Sequence, residues 1–251
     1  RERNRNTPLL LVLLALWISQ CVFHWAAWRN DAGTAHQATL AAIDITLILV
    51  TVIGGRIVPS FTATALRLSG STAVPKSRRG LTPVVVASMV AVTVVDLLLP
   101  STPWAGGVAA LAALAQAWRI AQWQSLRTMR MPIVWILHLG YVWLPIGLAL
   151  KAWALFGGPL VTAHWLHAFT LGPIATMIVA VMTRTSLGHT GRELNLHPLT
   201  IAAYGLLAAA TIVRVLAPAW PGANYLVVVA ISAALWAGAF EREFAGDLLP
   251  S

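Results

Sequence analysis

The sequence predicts an all-α protein, a single transmembrane helix bundle over residues 1–251 with about eight spans. The first observation is the composition, since 58% of the residues are hydrophobic, 10% are charged and the mean hydropathy is +0.75. Soluble domains carry about 25% charged residues, so this chain has too little polar surface to cover a water-facing globule. The second observation is a series of apolar runs, each about the 20 residues that a helix needs to cross roughly 30 Å of hydrocarbon. These predicted spans lie near residues 8–28, 38–58, 81–99, 104–123, 132–155, 160–183, 198–217 and 222–241.

Prolines mark the starts of several predicted spans. Four of them fall in first turns, where the missing N–H matters least: Pro8, Pro83, Pro132 and Pro198. The longest predicted connection covers about residues 60–80, and most other connections are short. Short connections favour sequential antiparallel neighbours, so the spans are expected to pack in chain order.

The basic residues predict the orientation of the bundle. If eight spans alternate, 14 of the 17 Lys and Arg residues fall on one side, and only Arg29, Lys151 and Arg214 fall on the other. By the positive-inside rule the arginine-rich side is cytoplasmic, so both ends of this chain are expected to be cytoplasmic. The same rule accounts for the net charge of +9 and removes the reason to expect a nucleic-acid partner. The single Cys21 excludes an intramolecular disulfide.

Polar residues inside the predicted spans are the candidates for chemistry, because such groups usually face the bundle interior. One layer is expected near the arginine-rich side. His138 and Tyr141 lie three residues apart in span 5, on nearly one helix face. Arginine suits carboxylates and phosphates, and histidine suits haem iron, copper or zinc. The other candidates of this layer are Arg56, Arg184, His189 and Arg192.

A second layer is expected near the opposite side. His164 and His167 are three residues apart near the start of span 6, so they share a helix face and could chelate one metal ion. His167 and His189 are separated by roughly 33 Å along a helix and cannot bind the same centre. If both layers bind metal, there are therefore two centres. His24, His36 and His197 are typical of interfacial or capping histidines.

Three further charges of this side are open to different interpretations. Asp44 lies inside span 2, where a charge needs a partner. Asp96 and Lys151 lie near helix ends, from which they can snorkel to the interface.

Three segments resemble a known family. They are GGRIVPSFT at 54–62, PIVWILHLGYVWLPIGL at 132–148 and HAFTLGPIATMIVAVMTRTSLGHTGR at 167–192. They closely resemble the NnrS family of bacterial inner-membrane proteins, which is linked to nitric oxide metabolism and denitrification. The resemblance implies a haem- and copper-containing protein that relieves nitrosative stress. The histidines and arginines that it carries over by motif are His138, His167, His189, Arg56, Arg184 and Arg192.

The resemblance also implies a longer native protein, because family members have about twelve spans. The present chain, which begins without Met, is then expected to be its C-terminal part. Haem needs an apolar slot, an axial ligand and cations for its propionates, and residues of these types occur in the carried-over set. The sequence leaves open which layer would take haem and which would take copper.

Three functions follow from the sequence. The first is a haem and copper membrane protein that binds or handles nitric oxide. The second is a transporter of an anion or small molecule, with the arginines at its mouth and a helix broken at Gly172 and Pro173. The third is an assembly factor without a cofactor. No nucleophile or general acid–base pair is evident, so any enzymatic activity would be the chemistry of the metal.

Overall fold

The computed structural model describes residues 7–76, 80–159, 162–191, 196–219 and 222–248, and every regular element among them is helical. A π-helical segment, Thr170–Thr176, joins two of the helices into one continuous rod. The predicted all-α class is confirmed. The principal helices are α1 (Thr7–Trp28), α2 (Ala32–Leu68), α3 (Leu81–Leu98), α4 (Pro103–Ala121), α5 (Pro132–Leu155), α6 (Thr162–Phe169), α7 (Met177–His189), α8 (Pro198–Leu216) and α9 (Tyr225–Leu248).

Seven helical rods in the described residues are long and apolar enough to cross a membrane, with α6, the π segment and α7 counted as one. The 19-residue α4 is not among them. Its hydropathy is lowered by Gln116 and Arg119, yet these side chains are only 0% and 4% exposed. The polar residues of α4 therefore face the interior of the bundle and not the lipid.

Contacts with α5 place α4 along the bundle as an eighth helix. The two helices pack antiparallel. Gly106, near the start of α4, lies against Leu155 and Phe156 around the end of α5. Arg119, near the end of α4, hydrogen-bonds Tyr141 in the first half of α5. The order of helices thus agrees with the eight predicted runs.

The α2 helix is longer than its predicted span. It does not end near residue 58 but continues through Pro59 to Leu68. Its 37 residues reach about 55 Å at 1.5 Å per residue, which exceeds the roughly 30 Å of hydrocarbon. At its start, the Thr34 hydroxyl and N–H donate to the Asp31 carboxylate at 2.7 and 3.0 Å. These hydrogen bonds hold the pKa of Asp31 below its ordinary value of 3.8.

The central helix is α5, which packs against α2, α4, α6, α7 and α8. The end of the bundle at which α2 and α4 finish and α5 begins is called the arginine-rich end. The opposite end, at which α3, α5 and α8 finish and α6 begins, is called the arginine-poor end. The cytoplasmic location of the arginine-rich end stays a prediction from the charge distribution.

Candidate functional site

His138 of α5 is a buried histidine with both ring nitrogens engaged. Its Nε2 lies 2.8 Å from Thr62 Oγ1 of α2, and its Nδ1 lies 2.8 Å from Ser125 Oγ. The Thr62 hydroxyl already donates to the Val58 carbonyl oxygen, so it accepts from Nε2–H, and Nδ1 faces the Ser125 hydroxyl. Both ring nitrogens are therefore occupied, and a metal bound there would have to displace one hydroxyl.

One helical turn beyond His138 on α5, Tyr141 forms a buried polar network with Arg119 of α4. Arg119 Nη1 donates to the Thr51 carbonyl oxygen at 2.8 Å and to Tyr141 Oη at 3.3 Å. Tyr141 Oη donates to Gln116 Oε1 at 2.7 Å, and Gln116 Nε2 donates to Thr51 Oγ1 at 3.1 Å. The guanidinium also lies 5.6 Å from the Trp123 ring centroid, within the range of a cation–π contact. Its charge is thus stabilised by dipoles and an aromatic face.

Gly54 and Gly55 let these two side chains reach the α2 backbone. A Cβ on Gly55 would lie 1.9 Å from Arg119 Nη2, and one on Gly54 would lie 3.0 Å from Tyr141 Cδ2. Two adjacent glycines permit a close approach, and in the structure Arg119 and Tyr141 occupy the space beside them. In the sequence, Arg119 serves only as one of the basic residues that predict the orientation of the bundle in the membrane. The signal that could have identified it is Gln116, three residues earlier and so on the same helix face.

Among the described residues, Arg56, Arg184 and His189 do not form one contact group with His138. Arg56 is exposed on α2, and His189 is exposed at the last residue of α7. Arg184 is half-buried, with its Cζ 3.8 Å from the Phe61 ring centroid. The roles of these residues as cofactor ligands stay predictions. Arg192 lies outside the described residues.

Two grooves run along this part of the bundle. One has a volume of about 520 Å³, lies between the end of α2 and the starts of α5 and α8, and is lined by Arg130 and Arg184. The other has a volume of about 280 Å³, is apolar and is lined by α2 and the α6–α7 rod, including Met177 and Met182. Neither groove is lined by a histidine, so neither offers haem an imidazole as axial ligand.

His164 and His167 lie at the arginine-poor end against α8. His164 Nδ1 is 2.7 Å from the Val215 carbonyl oxygen, and because a carbonyl only accepts, Nδ1 carries a proton; in the neutral ring the lone pair is then on Nε2. His167 Nε2 accepts from Arg214 Nε at 3.1 Å. Arg214 Nη2 donates to Tyr225 Oη at 3.4 Å, whereas its Nη1 is buried without a hydrogen-bond partner among the described residues. An imidazole lone pair and an unsatisfied guanidinium donor thus occur in one region.

The π-helical segment Thr170–Thr176 follows these histidines directly. Inside α-helices such turns are rare and frequently occur at functional sites. Its Gly172 is required, because a Cβ there would lie 2.2 Å from Trp143 Cβ of α5. The rod remains continuous through Pro173, so the helix is not broken there as the transporter hypothesis expects, but contains a π turn.

Comparison with protein families gives a match over nearly the whole chain. The family model described as NnrS protein matches residues 1–241. The chain belongs to the NnrS family. No curated protein and no solved structure matches it. The resemblance of the three sequence segments is confirmed, and membership of the NnrS family indicates a membrane protein related to nitric oxide.

The NnrS family is associated with haem and copper, and the two ends of the bundle differ in how well their residues suit such a group. No three His, Cys, Asp or Glu side chains gather into a metal-binding group in the part of the chain that the structure describes. His138 has no free ring nitrogen. His164 has one, and Arg214 has a buried donor without an acceptor. His164 and Arg214 therefore suit a metal with an anionic group better than His138 does.

Two residues of this site were not candidates in the sequence. Val215 contributes only a carbonyl group, which no side-chain pattern reveals. Arg214 counted as one of three basic residues on the sparsely charged side. Its position there, against the positive-inside rule, is the signal that could have marked it as a residue retained for local chemistry.

Proposed function

We propose that this NnrS-family protein holds a haem or copper cofactor at the arginine-poor end of its bundle and binds nitric oxide there. It would serve the cell's response to nitric oxide, including its detoxification during denitrification. His164 is the proposed ligand. Arg214 is the proposed partner of a haem propionate or of another anion beside the metal.

The hydrogen bond from His164 Nδ1–H to the Val215 carbonyl oxygen supports this proposal most strongly. Metal-binding histidines almost always donate their second ring N–H to a carbonyl or carboxylate, which fixes the tautomer and the ring orientation. His164 therefore has its lone pair on Nε2 before any metal arrives. His167, one turn away on the same face, can become a second ligand if Arg214 Nε releases it.

The second support is the unsatisfied Nη1 of Arg214. A buried donor without a partner costs about 1–3 kcal/mol, and more when the group is charged. A propionate or a metal-bound anion would satisfy it while Nε–H holds His167. When bound, haem iron or copper supplies an open coordination position for nitric oxide. The protein orients the His164 imidazole through Val215 and places the Arg214 guanidinium beside His167.

Cofactor analysis of the purified full-length protein tests the proposal. Haem and copper per protein, and optical spectra with and without nitric oxide, would be compared among variants. We expect His164→Ala to lose most of the cofactor and Arg214→Gln to weaken its binding by about 10–100-fold, as is usual when an outer partner is removed. The matched controls are His36→Ala and Arg29→Gln, two exposed residues of the same end, which should behave like the wild type.

Two results would contradict the proposal. A wild-type protein without haem and copper would remove the cofactor altogether. Full cofactor content in His164→Ala, combined with its loss in His138→Ala, would place the centre at the arginine-rich end.

A transporter of an anion or small molecule is the second candidate, and the groove with Arg130 and Arg184 favours it. Neither arginine has an ion pair within the described ranges. Two such cations lining a groove of about 520 Å³ suit a carboxylate or phosphate. Flux into proteoliposomes that Arg184→Ala abolishes and Arg56→Ala preserves would support this function.

A further inference from the structure

Three charged side chains from three helices meet inside the bundle near the arginine-poor end. They are Asp44 on α2, Asp96 on α3 and Lys151 on α5. The Lys151 ammonium pairs with the Asp96 carboxylate, and Asp44 interacts electrostatically with both groups. Asp44 is 2% exposed, Lys151 is 3% exposed and the Asp96 side chain is 10% exposed. Asp96 and Lys151 therefore do not snorkel to the interface but pair inside the bundle.

The charges of this cluster do not balance if all three groups are ionised. Two carboxylates and one ammonium leave a net negative charge in a region of low dielectric constant, which strongly disfavours the second carboxylate. Lys151 is committed to Asp96, and its Nζ lies 4.8 Å from the Trp165 ring centroid. Lys151 therefore does not fully compensate Asp44.

In the part of the chain that the structure describes, the Asp44 carboxyl group lacks the hydrogen-bond donors that an ionised carboxylate needs. Its Oδ2 is buried and has no hydrogen-bond partner within the described residues. An ionised carboxylate needs several donors, and a bare buried oxygen leaves that need unmet. Protonation removes this charge, so the uncharged carboxylic acid is the form that such a buried position favours.

We propose that Asp44 and Asp96 form a proton-binding pair that holds one proton, mainly on Asp44, and exchanges it with water at the arginine-poor end. In loading, a hydronium ion transfers its proton to the Asp44 carboxylate, an O–H bond forms and a water molecule is left. Unloading is the reverse step. Water reaches Asp96 more easily than Asp44, since the Asp96 side chain is the most exposed of the three.

A proton suits this pair better than a metal cation does. The charged groups that act on Asp44 in the described structure are Asp96 and Lys151, and the ammonium of Lys151 repels a cation. Calcium takes six to eight oxygen ligands and magnesium near-octahedral coordination, whereas this cluster offers two carboxylates. A proton needs only one acceptor oxygen. The pair shares no residue with the proposed metal centre, so the two proposals can fail separately.

Infrared difference spectroscopy of the purified full-length protein tests the proposal. At neutral pH we expect the C=O stretching band of a protonated carboxylic acid, which shifts in D₂O and disappears at high pH. Asp44→Asn should remove the band. Asp31→Asn, which changes an exposed carboxylate just before α2, is the matched control and should leave the band unchanged. Lys151→Gln removes the ammonium and should raise the band intensity about twofold, because both carboxyl groups then bind protons.

Three outcomes would overturn the proposal. They are the absence of the band in the wild type at neutral pH, a band that persists in Asp44→Asn, and a band that sodium or potassium removes at constant pH. If Asp44→Asn does not fold, an apolar carbodiimide, which modifies protonated carboxyl groups, can be used on the wild type. Peptide mass spectrometry should then find the adduct on Asp44, and its absence there would contradict the proposal.

Discussion

Arg119 shows how this bundle accommodates a charge without an acidic partner in the described structure. It is 4% exposed and is stabilised by the Thr51 carbonyl oxygen, the Tyr141 hydroxyl and the Trp123 ring. Arginine suits such a place, because its guanidinium is delocalised, weakly hydrated and able to stack on aromatic rings. The members of the network depend on one another, since each buried polar group that loses its partner incurs its full desolvation cost.

Replacement of Tyr141 by Phe tests this dependence. The missing hydroxyl leaves Gln116 Oε1 without a donor and Arg119 Nη1 with one acceptor fewer, so Tyr141→Phe should cost about 1–3 kcal/mol of stability. The control is Tyr225→Phe, which removes an exposed hydroxyl 3.4 Å from Arg214 and should change stability by less than about 0.5 kcal/mol. Thermal unfolding of the full-length protein in detergent measures both. Equal shifts would show that the Tyr141 hydroxyl has no special structural role.

At the scale of helices, the sequence could predict the starts better than the ends. Pro132 and Pro198 begin α5 and α8, as their place in first turns predicts. The end of α2 could not be predicted, because a proline such as Pro59 usually stops or kinks a helix. Beyond Pro59, Thr62 hydrogen-bonds His138 of α5, a contact between residues 76 positions apart that only the fold brings together.

The π-helical segment yields a prediction at the same scale. Gly172→Ala would place a Cβ 2.2 Å from Trp143 Cβ, so α5 and the rod would have to separate or the π turn would have to rearrange. Such overpacking costs about 1–3 kcal/mol. Gly188→Ala, in the same rod, meets nothing within 4 Å and should be neutral or stabilising by up to about 1 kcal/mol.

The comparison of these two variants by thermal unfolding isolates the contact with Trp143. Both changes add the same methyl group to one continuous rod. Similar unfolding temperatures would mean that the π turn absorbs the extra atom without strain, in conflict with the expected loss.

At the scale of the whole molecule, the distribution of basic residues has two meanings. The excess at the arginine-rich end predicts orientation, and Arg56 there is exposed as that role requires. Of the three basic residues at the other end, Lys151 pairs with Asp96 and Arg214 binds His167. The sequence could place His164 and His167 on one face by their spacing. It could not reveal their partners on α8, about 50 positions along the chain, because only tertiary packing brings them near.

The crossing of α4 determines the topology of the whole chain and can be tested directly. Single cysteines would be introduced in a Cys21→Ser background at Ser101, before α4, and at Leu126, after it. Leu126 is 83% exposed, and Ser101 is exposed. Because α4 runs antiparallel to α5 along the bundle, we expect an impermeant thiol reagent to label Ser101→Cys in intact spheroplasts. Leu126→Cys should be labelled only after permeabilisation, since the arginine-rich end is predicted to be cytoplasmic.

Reference positions at each end make this result decisive. Trp28→Cys, at the end of α1, should label like Ser101→Cys, and Leu68→Cys, at the end of α2, should label like Leu126→Cys, since both native side chains are well exposed. If the cysteines before and after α4 were labelled from the same side, α4 would not cross and only the seven apolar rods would span the membrane. The orientation of every helix from α5 onward would then be opposite to the positive-inside prediction. Arg130 and Arg184 would face the outside, at an energetic disadvantage that the antiparallel packing of α4 avoids.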